Sequence, residues 1–123
     1  MDEEKVTYVS YSEKEMQIVR EGVHAIKSVL FDGTNQEKEQ LLLCLDRYLD
    51  PWFGYNLSYT SEIEEMLQEL IVQKNSLAVK EACIQLLENY AWPPFSIIEE
   101  NLDKIELKLK SDIDYLLTMN QEE

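Results

Sequence analysis

Apolar residues return every three or four positions along most of this chain, and that spacing predicts helices. Met16, Val19, Val23, Ile26 and Leu30 fall on one stripe and predict a helix over 13–31. Ser12 and Glu15 have the spacing of a capping box at its start. Asp32-Gly33 is expected to end it, with the glycine in a left-handed cap conformation. Thr34 and Glu37 open a second helix over 36–49, carrying Leu41, Leu42, Leu45, Tyr48 and Leu49 and stopped by Pro51. After an aromatic loop, Ser61 and Glu64 suggest a third box, followed by Ile63, Met66, Leu67, Leu70 and Ile71 on a helix over 62–73. Val79, Ala82, Cys83, Leu86, Leu87 and Tyr90 predict the next over 77–90. Trp92-Pro93-Pro94-Phe95 breaks the chain. Ser96 and Glu99 then suggest a fourth box, and Ile98, Leu102 and Ile105 a helix over 97–106. Ile113, Leu116 and Leu117 predict a last helix over 111–119. Residues 5–11, β-branched and aromatic, suit a short strand or extended arm.

The pattern repeats. Lys38, Glu39, Leu45, Tyr48, Pro51 and Phe53 return 42 residues later as Lys80, Glu81, Leu87, Tyr90, Pro93 and Phe95. Ile26, Val29 and Leu30 align with Leu67, Leu70 and Ile71 at an offset of 41. A period near 40 in helical sequence marks stacked helix pairs. The expected fold is therefore all-α: a short right-handed solenoid of about three antiparallel, HEAT-like helix pairs, 13–49, 62–90 and 97–119, in one domain spanning 1–123. Tyr48 and Tyr90 become equivalent packing residues, with a hydroxyl expected to bond a neighbouring loop. Phe53 and Phe95 are expected to fill gaps between pairs.

Composition narrows the function. Apolar residues make up 45% of the 123 positions and charged residues 29%, a globular balance. The net charge is −14, from 25 acidic and 11 basic residues. Such a surface repels phosphate backbones and anionic membranes and favours a basic protein partner. The opening Met1-Asp2-Glu3-Glu4-Lys5 has no basic stretch leading into an apolar one, and the longest apolar run, Leu41 to Leu45, is far too short to span a bilayer. A soluble, cytoplasmic protein is expected. Cys44 and Cys83 lie inside apolar helical patterns and are expected to be buried free thiols.

Enzyme chemistry finds little support. The single histidine, His24, has Arg20 and Ser28 one turn away and no cysteine or acidic ligand pair. None of the three glycines has phosphate-loop spacing. Asp112-Ile113-Asp114 begins like a calcium loop but lacks its glycine and terminal glutamate. Neither a cofactor, a metal nor a catalytic residue is expected. Between Arg47 and Lys74 there is no basic residue, whereas Glu62, Glu65 and Glu69 share one helix face. With Asp46 and Asp50 they form an acidic zone beside the loop holding Trp52, Phe53, Tyr55 and Tyr59. A solvated helix face is one reading of these acids. A docking surface is the other: acids steer a cationic partner and aromatics supply burial. Trp52 and Tyr55, without aromatic counterparts in the second copy, are the candidates for exposure. The expected partner-binding residues are thus Asp46, Asp50, Trp52, Tyr55, Glu62, Glu65 and Glu69.

In size, acidity and helix-pair repeat, and in the segments Ala91 to Leu102 and Ser111 to Leu117, the chain resembles the small acidic helical immunity proteins of bacterial polymorphic toxin and contact-dependent inhibition systems. The resemblance covers about 36–118 and rests on structural motifs. It implies a non-catalytic cytoplasmic inhibitor that binds one cognate, basic toxin domain and occludes its active site. A helical-repeat adaptor or regulatory subunit, and an acidic nucleic-acid mimic, are the alternatives.

Overall fold

Two of the capping boxes read from the sequence form, and two do not. The structure, a computed structural model, describes residues 11–55 and 57–118. Helix α1, Glu13–Glu21, begins with the Ser12–Glu15 box, and α3, Asn35–Leu49, with the Thr34–Glu37 box. In each, serine or threonine oxygen accepts a backbone N–H while the glutamate reaches back to the cap residue's own N–H. Helix α4, Thr60–Val72, instead starts after Tyr59 with no side-chain cap, and Glu64 is half-buried. At α6, Ser96–Glu99, Phe95 holds the cap position and has no acceptor to offer. Gln68 of α4 takes that role, its Oε1 accepting from the N–H groups of Ile97 and Ile98 at 3.1 and 3.4 Å.

The expected first helix is two. Gly22 sits at φ 111°, a conformation L side chains rarely adopt, and separates α1 from α2, Val23–Asp32. The apolar stripe crosses the break, with Val19, Ile26 and Leu30 all buried, so periodicity did not reveal it. Gly33 is not the left-handed cap expected: its φ is −78°. Glycine is needed there for space, because a Cβ would stand 2.6 Å from the Val29 carbonyl oxygen.

The expected helix over 97–106 shrinks to α6. The Asn101 side chain donates to the Ile97 carbonyl at 2.8 Å, a bond that competes with helix continuation. Short 3-10 turns at Leu102–Lys104 and Leu107–Leu109 lead to α7, Lys110–Thr118, and Leu102 is exposed rather than part of a buried stripe. Helix α5 spans Leu77–Tyr90, capped by Ser76. Every regular element among the described residues is an α-helix or a 3-10 turn, with no strand among them. Of the expected arm at 5–11, only Tyr11 lies within the described residues.

Contacts sort the helices into two rows. Helix α2 packs on α4 and α4 on α6; α3 packs on α5 and α5 on α7. The rows join through α2–α3 and α4–α5, while α1 lies against α2 and α3. Between them runs one core, including Ile26, Leu41, Leu45, Ile63, Leu70, Leu87 and Ile98, all fully buried. Each such side chain stabilises the fold by about 1.5–3 kcal/mol relative to exposure. Cys44 and Cys83 are free thiols in this core. Burial pushes the Cys44 thiol up to about 11, and raises Cys83 as well.

Two matched hydrogen bonds align α3 with α5. The Lys38 ammonium, near the start of α3, donates to Asn75 Oδ1 just before α5 at 2.6 Å. At the other end the Tyr90 hydroxyl donates to Asp46 Oδ1, also at 2.6 Å. The two helices therefore run in the same direction. Lys80, the repeat counterpart of Lys38, makes the corresponding reach to the next connection: its ammonium meets the Glu106 carboxylate at 2.9 and 3.0 Å. Both lysines are buried to the headgroup, so the repeated lysine ties α3 to the segment leading into α5, and α5 to the segment leading into α7.

Candidate partner-binding surface

The aromatic turn after α3 is built outward from the helix end. Asp50 caps a 3-10 turn over Pro51–Phe53, its Oδ1 accepting from the Trp52 N–H at 2.9 Å. Gly54 comes next at φ 70°, left-handed, and folds the chain back. The turn holds its aromatics near the surface. Trp52 is 86% exposed. Tyr55 is also exposed, but one side of its ring rests on buried Tyr48, with centroids 4.3 Å apart and planes at 39°.

Phe53 does not fill a gap between helix pairs. It is 46% exposed, and the Arg47 guanidinium carbon lies 4.8 Å from its ring centroid, a cation–π contact. Arg47 also donates to the Tyr11 hydroxyl at 3.1 Å. Phe95, the repeat counterpart, is 1% exposed and does seal the junction near α6.

The acidic residues expected here divide into two groups. Asp46 and Asp50 stand at the end of α3 beside the aromatics, and both carry internal duties: Asp46 accepts from Tyr90 and Asp50 caps the turn. Burial and the Asp46 carboxylate push the Tyr90 hydroxyl well up, which keeps it a donor. Glu62 and Glu65 are exposed on α4 and Glu69 is half-buried. They belong to the row of α2, α4 and α6, whereas Asp46, Asp50, Trp52 and Tyr55 extend from the row of α3, α5 and α7. Adjacent in sequence, the two groups are mounted on different rows. Tyr59 stands between them in sequence and is structural: its hydroxyl donates to the Val19 carbonyl at 2.6 Å, and burial raises its pKa.

Sequence reasoning passed over Trp92. It comes after the end of α5 as Trp52 comes after the end of α3, and it is 67% exposed. Because α3 and α5 are parallel, both tryptophans lie at the same end of the row of α3, α5 and α7. The signal was available, since Trp92 belongs to no helical stripe and two prolines come after it. His24 is exposed on α2. Among the described residues no three histidine, cysteine or carboxylate side chains gather as a metal site, and no helix is long and apolar enough to cross a membrane. Comparison with known protein families, with curated proteins and with solved structures finds no match to this chain.

Proposed function

We propose that this chain is a non-catalytic protein-binding inhibitor, an immunity protein that neutralises a cognate basic toxin domain by occluding its active site in the bacterial cytoplasm. The observation that carries the reading is the pairing of large exposed aromatics with strong acidity. Trp52 and Trp92 stand at one end of a helix row on a chain of net charge −14. A tryptophan left in water forgoes much of its burial energy until a partner covers it, and tryptophan is a frequent anchor of interfaces. The charge speeds encounter with a basic partner.

The finer architecture belongs to the same proposal. It is a short right-handed, HEAT-like solenoid of about three antiparallel pairs, a reading supported by two rows of helices joined through α2–α3 and α4–α5 and by the matched lysines of α3 and α5. In this arrangement α1 is an added end cap and α6 a shortened outer helix.

Co-expression tests the reading. The protein is expected to restore growth to cells producing the toxin domain encoded beside its own gene, and a complex should be isolable. A well-folded protein that gives no rescue, or a gene with no toxic neighbour, would overturn the immunity reading. Glu62→Lys, Glu65→Lys and Glu69→Lys together are expected to slow association with that toxin domain at low salt without loss of helical signal. An unchanged on-rate would reduce these acids to a solvated face.

A further inference from the structure

Helices α3 and α5 leave an apolar groove between them, whose lining among the described residues comes from these two helices. Leu42 and Leu86 lie at its base and half-exposed Leu43 forms one wall. On the α5 side, Ala78 and Ala82, one turn apart on the same face, keep the opposite wall low. The groove encloses about 200 Å³. Small-molecule sites run to roughly 300–1,000 Å³, so this one has room for inserted side chains rather than a cofactor.

Carboxylates surround it. Glu39 and Asp46 line the α3 side. Gln85 lines both this groove and the next, between α5 and α7, where Glu81, Glu88 and Asp112 gather. Among the described residues, no lysine or arginine lines either groove. Burial, and then the charge of Asp112, push the Glu88 carboxyl above its ordinary value. Added positive charge would relieve that crowding.

The geometry points to a helical segment of a protein partner, basic on one side, whose apolar side chains enter the groove between α3 and α5 while its lysines or arginines meet Glu39, Asp46, Glu81, Glu88 and Asp112. Two side-by-side helices form the furrow into which a third helix settles. Charge selects among occupants. A second copy would bring another −14 to an acidic face, and nucleic acid or an anionic membrane would be repelled in the same way. A wholly apolar helix would desolvate these carboxylates without pairing them. Trp52 and Trp92 lie just past the C-terminal ends of the two groove helices, and so are available to close over one end of the bound segment.

This inference rests on the proposed binding of a basic partner and names the face that does it. It is tested on the intact chain with three synthetic peptides of about 18 residues, five helical turns. One is an amphipathic leucine–lysine helix, one its leucine–glutamate counterpart, and one a lysine–serine peptide without apolar anchors. Only the first is expected to bind, read by calorimetry and by tryptophan fluorescence. Leu43→Lys should weaken it by about tenfold or more. Should that variant unfold, Ala78→Lys at an exposed helix position makes the same test. The lysine variant at Glu62, Glu65 and Glu69 should slow association at low salt yet leave the high-salt affinity unchanged.

Failure of the leucine–lysine peptide to bind overturns the inference, as does equal binding of the lysine–serine peptide or indifference to the groove substitutions. Growth rescue reads the immunity proposal separately. Rescue that persists in a groove variant removes the groove and keeps that proposal, whereas peptide binding in the groove without rescue does the reverse.

Discussion

Phe53 and Phe95 close the two copies of one repeat, yet the first lies half in water and the second is sealed in the core. The segment leaving each helix makes the difference. After α3 the chain enters a tight 3-10 turn held by Asp50 and reversed by left-handed Gly54, so its aromatics stay at the surface. After α5 it runs through Pro93 and Pro94 without such a turn, and Gln68 of the neighbouring row captures the N–H groups of Ile97 and Ile98. Phe95, at the cap position of α6 beside that capture, is buried. The same repeat end thus serves once as a display and once as a seal.

The sharpest way to break this comparison is to truncate both rings. Phe95→Ala is expected to cost about 3–5 kcal/mol in a urea unfolding series, the usual loss for a fully buried phenylalanine. Phe53→Ala should cost under about 1 kcal/mol, because its ring is half hydrated already and the lost contact is one cation–π pair. Trp52→Ala and Trp92→Ala should lie within about 0.5 kcal/mol of the parent, as exposed side chains do, while weakening partner binding. Similar losses at Phe53 and Phe95 would make the two turns equivalent and remove the argument for a display.

The next effect concerns the capture itself. Gln68→Ala takes away the acceptor of two backbone donors at the start of α6, an expected loss of about 1–3 kcal/mol. Amide exchange at Ile97 and Ile98 should accelerate more than exchange in α3. Gln68→Glu keeps an acceptor oxygen and is expected to restore most of the protection. If both variants exchange like the parent, something other than Gln68 holds the seal.

Much of this fold is written in its stripes. Ile63, Leu67, Leu70, Val79 and Leu87 are buried where helical spacing put them, and the Ser12 and Thr34 boxes form as their spacing requires. Matching the two copies also singled out Lys38 and Lys80, though not their task of tying successive helices together. What stayed hidden depends on partners remote in sequence or on one backbone angle. Gly22 breaks a helix inside an uninterrupted stripe, and Gln68 is a mid-helix polar residue whose acceptor role appears only when α6 is set beside it. Phe53 and Phe95 are identical in the repeat, so comparing copies could not separate them. Of the expected binding residues, Trp52 and Tyr55 are exposed, Asp46 and Asp50 carry internal bonds, and Glu62, Glu65 and Glu69 belong to the other helix row.

The smallest effect separates the repeated lysines by pH. Lys38 bonds a neutral amide, Asn75, whereas Lys80 bonds a carboxylate, Glu106. The hydrogen bond to Lys80 holds Glu106 below its ordinary pKa. A carboxyl whose folded value is depressed contributes stability above its unfolded value, about 4.3 for glutamate, and loses it as pH falls through the folded value. Glu106 is exposed, so solvent screening keeps the contribution small. The stability difference between the parent and Lys80→Met should therefore be larger near neutral pH and shrink below about pH 4 as Glu106 protonates. The difference between the parent and Lys38→Met should hold steady across the same range, since the Asn75 amide does not titrate. Chemical denaturation of the three proteins at matched ionic strength separates these cases, and parallel slopes would mean that the Lys80–Glu106 contact has no charge-dependent part in joining α5 to the segment before α7.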